Sequence, residues 1–179
     1  IRNNKIYDKI NYTKVTCSLK GPGSPGGSHN FGLGNQLFQI ATVLSLAEDN
    51  SAQAVFPDLQ SNFFGDYCNN IFRKLNISGD KNFIQNNYKD LNFTYNKIPF
   101  ENNLSIDGYF QSEKYFKHNR NLILNYFSPS KKILKYINEK YDNLINCNNS
   151  VACHVRRGDY VNLSHMHTLL SDTDYYSKS

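Results

Sequence analysis

No stretch of this chain approaches the ~18 consecutive apolar residues of a membrane span. Its most apolar run, Leu37 to Ala47, is interrupted by Gln39, Thr42 and Ser45. The first twenty residues are polar and mixed in charge, which gives no secretory leader within them. Cysteine is scarce. Cys17, Cys68, Cys147 and Cys153 are too few and too scattered for a disulfide scaffold, and none forms C-x-x-C, which argues against zinc and thioredoxin-like chemistry. Cys17 and Cys153 each sit in a strand-like run, where a thiol is most often a small buried hydrophobe. Tryptophan is missing, and no internal repeat is present.

What remains suits one globular domain. The 179 residues are 39% hydrophobic and 20% charged, which excludes a coiled coil or collagen-like chain. The chain opens on Ile1 and stops at Ser179 in what reads as a young helix, so a fragment of a longer protein is expected. Asparagine makes up roughly one residue in seven and accompanies abundant Lys, Ile, Tyr and Phe. All five types come from AT-rich codons, so genome bias explains them better than prion-like function. It also inflates the glycosylation sequons at Asn11, Asn76, Asn92, Asn103, Asn148 and Asn162. The formal charge of +5 is concentrated in residues 113–140, where seven Lys or Arg face two Glu. A basic face can meet a polyanion, but lysines alternating with helical apolar spacing favour a solvated helix surface.

Lys14 to Leu19 alternates, with Val15, Cys17 and Leu19 on one face, and predicts a strand. Gly21 to Gly27 is too rich in Gly and Pro for a regular element. Asn35 can cap a buried helix running to about Glu48, and Ala54-Val55-Phe56 reads as a second strand. This strand–loop–helix–strand order opens a parallel α/β sheet. Residues 60–103 give no clear pattern. Ile106 to Phe110 predicts a strand and Ser112 the start of a helix carrying Tyr115, Phe116, Leu122, Ile123 and Tyr126. A second helix follows Ser128-Pro129, with Pro at its first position and Ile133, Ile137, Tyr141 and Leu144 on one face. Val151 to Val155 predicts a further strand.

Chemistry concentrates in His154-Val155-Arg156-Arg157-Gly158-Asp159-Tyr160. Ligands of open α/β sheets bind at the carboxyl ends of strands. Two guanidiniums there, followed by a glycine, suit a pyrophosphate, which Arg grips with parallel hydrogen bonds. Strand alternation sends His154 and Arg156 to one face and Arg157 to the other. Arg156 is therefore expected to meet ligand, and Arg157 to brace the loop through Asp159. The second constellation is Gly32-Leu33-Gly34-Asn35-Gln36-Leu37-Phe38-Gln39, where a helix N-terminus favours an anion or sugar oxygens. It is neither a Walker A loop nor G-x-G-x-x-G; taken alone, tight-turn glycines with an Asn cap explain it better.

Together with Gly108-Tyr109-Phe110-Gln111-Ser112-Glu113-Lys114-Tyr115-Phe116, these motifs make the chain resemble the α-1,2-fucosyltransferases of glycosyltransferase family 11. The motifs stand in the family's order and span about Lys14 to the end. The resemblance implies a GT-B architecture: a Rossmann-like, acceptor-side domain over residues 13–146, and the start of a second, GDP-fucose-binding domain over 150–179. It implies inverting transfer of L-fucose from GDP-fucose to the 2-hydroxyl of a terminal galactoside, with no cofactor and no metal. Donor-binding roles fall on His154, Arg156, Arg157, Gly158, Gly34, Asn35 and Gln36, and catalytic roles on Arg156 and Asp159. Its partners are GDP-fucose and a galactose-terminated glycan, with no nucleic acid. Cytoplasmic, peripheral membrane and, for a eukaryote, Golgi-lumenal placement are all compatible with it. A different fucosyl linkage and a non-catalytic binding fragment are the alternatives.

Two departures accompany the resemblance. Gly21–Asn30 reads as an extra loop, and the family's motifs beyond the arginine strip have no counterpart, so this length of chain is expected not to turn over alone. Three further patterns carry less weight. Asp172-Thr173-Asp174 spells D-x-D but reads better as a helix start. His165-Met166-His167 lacks a third ligand at suitable spacing. Arg157-Gly158-Asp159 spells an integrin tripeptide inside a better-explained motif.

Overall fold

Four short strands, each too small to be stable alone, are joined by crossovers into one parallel sheet. The computed structural model describes residues 12–19, 32–60, 67–90, 92 and 94–155. Strand β1 (Lys14–Cys17) leads to helix α1 (Leu33–Asp49) and strand β2 (Gln53–Ala54). After a 3-10 turn at Pro57–Gln60, turns within residues 67–85 precede β3 (Asn86–Asp90), then β4 (Leu104–Gly108). Turns at Glu113–Tyr115 and Lys117–Asn119 precede α2 (Arg120–Tyr126) and α3 (Lys131–Ile145). The order across the sheet is β2-β1-β4-β3 and every pairing is parallel. This is the expected α/β, Rossmann-like arrangement.

Val15 pairs with Leu104, Thr16 with Ser105 and Cys17 with Ile106. Paired residues share a face, so Val15, Cys17, Leu104 and Ile106 form one apolar strip of the sheet, all but fully buried. Helix α1 adds Ile40, Val43, Leu44 and Ala47 to the same core. Burying each such aliphatic side chain contributes roughly 1.5–3 kcal/mol, before alanine's smaller share. Helix α1 stops where Asn50 Nδ2 donates to the Leu46 carbonyl at 2.8 Å and Ser51 takes the left-handed conformation, φ 51°.

The chain divides into two compact units, Ile1–Lys131 and Lys132–Ser179. The described part of the second is α3 with residues 146–155. No residue of α3 is buried, and its backbone leaves helical geometry at Tyr141. Of the expected apolar face, Ile133 and Ile137 are half-buried, whereas Tyr141 and Leu144 are exposed. The seven cations of residues 113–140 are all exposed, and Lys117–Glu113 and Lys135–Glu139 form i,i+4 pairs. That is the solvated surface the spacing favoured.

Several boundaries move. Asn35 does not cap α1: its own N–H already bonds the Gly32 carbonyl at 3.0 Å, so it is inside the first turn and Gly32 stands at the cap. The helix expected from Ser112 is two 3-10 turns before a short α2, although Ser112 does cap the first of them. Pro129 precedes α3 by two residues instead of opening it. Val151 to Val155 form no strand and are exposed, Val151 at 93%. Alternation supplies a strand's side chains but not its hydrogen-bond partners, and among the described residues none pairs with this segment. Cys153 is accordingly exposed, while Cys17 is buried as expected.

Candidate active site

After β1 the chain crosses by α1 to β2, while β3 lies on the far side of β4. The carboxyl ends of β1 and β4 therefore flank the switch in direction, the place where open α/β sheets bind ligand. Three features converge there. Helix α1 starts there, β4 ends in Gly108, and Gln39 joins the two strands. The Gln39 Nε2 group donates to the Gly108 carbonyl at 2.8 Å and to the Ser18 carbonyl at 3.4 Å. Gln39 is fully buried, and its bond to the Gly108 carbonyl satisfies an acceptor inside the core.

Gly34, Asn35 and Gln36 occupy the first turn of α1. Gly34 is exposed, Asn35 half-buried and Gln36 buried. Gly32, at the cap, has no side chain to bond the leading N–H groups, and the positive end of the helix dipole lies at the switch point. A Cβ on Gly34 would meet nothing within 4 Å, so the protein's own packing does not demand a glycine. Asn35 Oδ1 instead accepts from Gln111 Nε2 at 2.6 Å. This bond ties the first glycine motif to the Gly108–Phe116 strip.

That strip is built on tight backbone. A Cβ on Gly108 would overlap the carbonyl oxygen of Asp90 on β3. Phe110 has φ 50°, a left-handed conformation costly for an aromatic residue. Its ring is buried, edge-on to Tyr115 at 5.4 Å between centroids, and this packing holds the bend. Beside it, Asp90 ends β3. Burial pushes its carboxyl up, but the Asn92 backbone N–H, the Asn96 amide and the Tyr88 hydroxyl outweigh that and hold it below the usual aspartate value. Those bonds measure 2.8, 3.1 and 3.3 Å. Burial raises Asp107, only partly offset by Lys89 at 4.0 Å. Burial likewise pushes the Cys17 thiol far up, leaving an inert hydrophobe.

Of the sequence-predicted site residues, the structure thus places Gly34, Asn35 and Gln36 together at the head of α1. His154 lies in the second unit and is exposed in irregular chain. Arg156, Arg157, Gly158 and Asp159 lie outside the described residues, as do Asp172, Asp174, His165 and His167 and the Gly21–Asn30 loop. Among the described residues no group of three His, Cys, Asp or Glu gathers that could hold a metal ion, and no helix is long and apolar enough to cross a membrane. Gln39, Gln111 and Asp90 were given no role by sequence. For Gln39 a signal existed: an amide in the midst of an otherwise apolar helix.

A parallel α/β sheet with a helix N-terminus and a glycine strip at its switch point has the arrangement of a ligand-binding Rossmann-like domain. The family model of glycosyl transferase family 11 matches residues 27–179, and the chain belongs to that family. Membership indicates a glycosyltransferase of the fucosyltransferase type, using a nucleotide-sugar donor and a glycan acceptor. No curated protein and no solved structure matches the chain significantly.

Proposed function

We propose that the protein transfers L-fucose from GDP-fucose to the 2-hydroxyl of a terminal galactoside, with inversion and without a metal. One observation carries this reading: the family match runs through both the glycine motif that heads α1 and the arginine strip His154–Tyr160. In the proposed arrangement residues 13–146 form the acceptor-side domain, and residue 150 onward begins the donor domain of a GT-B pair. The bond between the fucosyl anomeric carbon and the β-phosphate oxygen breaks as the galactoside oxygen bonds the opposite face. Negative charge grows on the leaving GDP, where Arg156 stabilises it more in the transition state than in the ground state. Arg157 and Gly158 shape the loop, His154 lies by the nucleoside, and Gly34, Asn35 and Gln36 form the facing wall. The proton of the acceptor hydroxyl passes to Asp159. An ion pair with Arg157 would lower the pKa of that carboxylate and weaken it as a base.

The test is a donor panel of GDP-fucose, GDP-mannose and UDP-galactose, run with and without EDTA. Transfer or hydrolysis selective for GDP-fucose and unchanged by EDTA is the expected result. Preference for another donor, or loss in EDTA with rescue by Mn²⁺, overturns it. GDP calorimetry should show Arg156→Ala losing roughly 1.5–3 kcal/mol, with Arg156→Lys recovering part of it and Arg157→Ala losing less.

A further inference from the structure

One cavity of the first unit lies away from the switch point. It is a groove of about 640 Å³ along the flank of α1, within the range of small-molecule sites. Asp49 and Asn50, at the far end of α1, line one wall; Asp49 lies about 21 Å of helix rise from Asn35. The opposite wall comes from residues 95–100, between β3 and β4, and Lys114 and Tyr115 form a third side.

We propose that this groove is a second carbohydrate subsite, one that takes a sugar residue bearing an anionic group. Its walls are aromatic and held in place. Tyr95 and Tyr115 meet at 4.8 Å between centroids. The Tyr115 hydroxyl accepts from the Asn96 backbone N–H at 3.1 Å, and Phe100 lines the same space. The two tyrosine rings are inclined at 55°. They make a corner, which suits a puckered pyranose. The C–H edges of a pyranose are positive and seek the negative face of an aromatic ring.

Charge selects within sugars. Lys114 Nζ sits 5.9 Å from the Tyr95 ring centroid, and Lys97 lines the same groove. Among the described residues neither ammonium meets a carboxylate. The one carboxylate of the lining, Asp49, is already engaged by His118 Nε2 at 2.8 Å and by Asn119 Nδ2 at 2.7 Å. The groove therefore presents two cations without a carboxylate partner among the described residues, one of them, Lys114, over the Tyr95 ring. A carboxylate, sulfate or phosphate on the sugar answers them with charge-assisted hydrogen bonds.

The proposal does not depend on the donor, so its test contains no nucleotide and a failed donor assay leaves it standing. The full chain is titrated with 3′-sialyllactose, lactose and inorganic sulfate, followed by NMR or calorimetry. Sialyllactose should bind at least fivefold more tightly than either comparator. Tyr95→Ala and Lys97→Ala, both at exposed positions, should each weaken it at least fivefold while the variants still unfold in a single cooperative transition, and Lys132→Ala should not weaken it. Equal binding of lactose overturns the charge argument. Sulfate binding as tight as sialyllactose overturns the sugar argument, and unaffected Tyr95 and Lys97 variants overturn the location.

Discussion

Gly34 shows how a single residue separates stability from function. It sits exposed in the first turn of α1, where a methyl group would meet none of the described residues within 4 Å. Alanine is a better helix former than glycine by roughly 0.5–1 kcal/mol, so Gly34→Ala should raise the unfolding free energy by about that amount. If the open space receives the donor, the same change should weaken GDP binding. Denaturant unfolding and calorimetry on one variant therefore move in opposite directions; a glycine kept only for folding would give no loss of affinity. Gly108 behaves in the opposite manner. There the clash with the Asp90 carbonyl is internal, and alanine should destabilise without any ligand being present.

At the scale of elements, Gln39 ties α1 by hydrogen bonds to the end of β4 and to Ser18 just after β1. Gln39→Met preserves length and apolar contact but removes the donor to the Gly108 and Ser18 carbonyls. Leaving a buried carbonyl unsatisfied costs about 1–3 kcal/mol, which urea unfolding should detect as a lower midpoint at unchanged slope. The elements were legible to different degrees. β1 and α1 were readable because Val15 and Cys17 alternate and because Leu37 to Ala47 is apolar over several turns. β3 was not, since Asn86-Asn87-Tyr88-Lys89-Asp90 has almost no hydrophobic pattern and is held as a strand by its pairing with β4. Val151 to Val155 differ in the reverse sense, having the pattern without a partner among the described residues. The site divided likewise. Glycines at the head of a helix were visible in sequence, whereas the Asn35–Gln111 bond joins residues 76 positions apart and no local pattern foretells it.

For the whole molecule, acid sensitivity reports on Asp90. Its native pKa lies below the unfolded value of about 3.9. Its contribution to stability is thus fully present above that value and is lost as pH falls through the lower native pKa. Asp90→Asn should destabilise at pH 7, and the gap from wild type should close as pH drops below about 4. Unfolding midpoints at pH 7, 5 and 3 would measure it; a gap independent of pH would assign Asp90 to packing alone.

The sheet order also has a consequence for how the chain is made. β1 is completed on one side by β4, and the bond from the Lys14 N–H to Asn103 Oδ1 spans 89 residues. At a synthesis rate of roughly 5–20 residues per second, β1 emerges from the ribosome about 4–18 s before that partner exists. During this interval only β2 is available beside it, and β2 is two residues long. The apolar strip of Val15 and Cys17 is therefore an early, waiting edge. Nascent chains arrested before Leu104 are the ones that a holdase chaperone should engage.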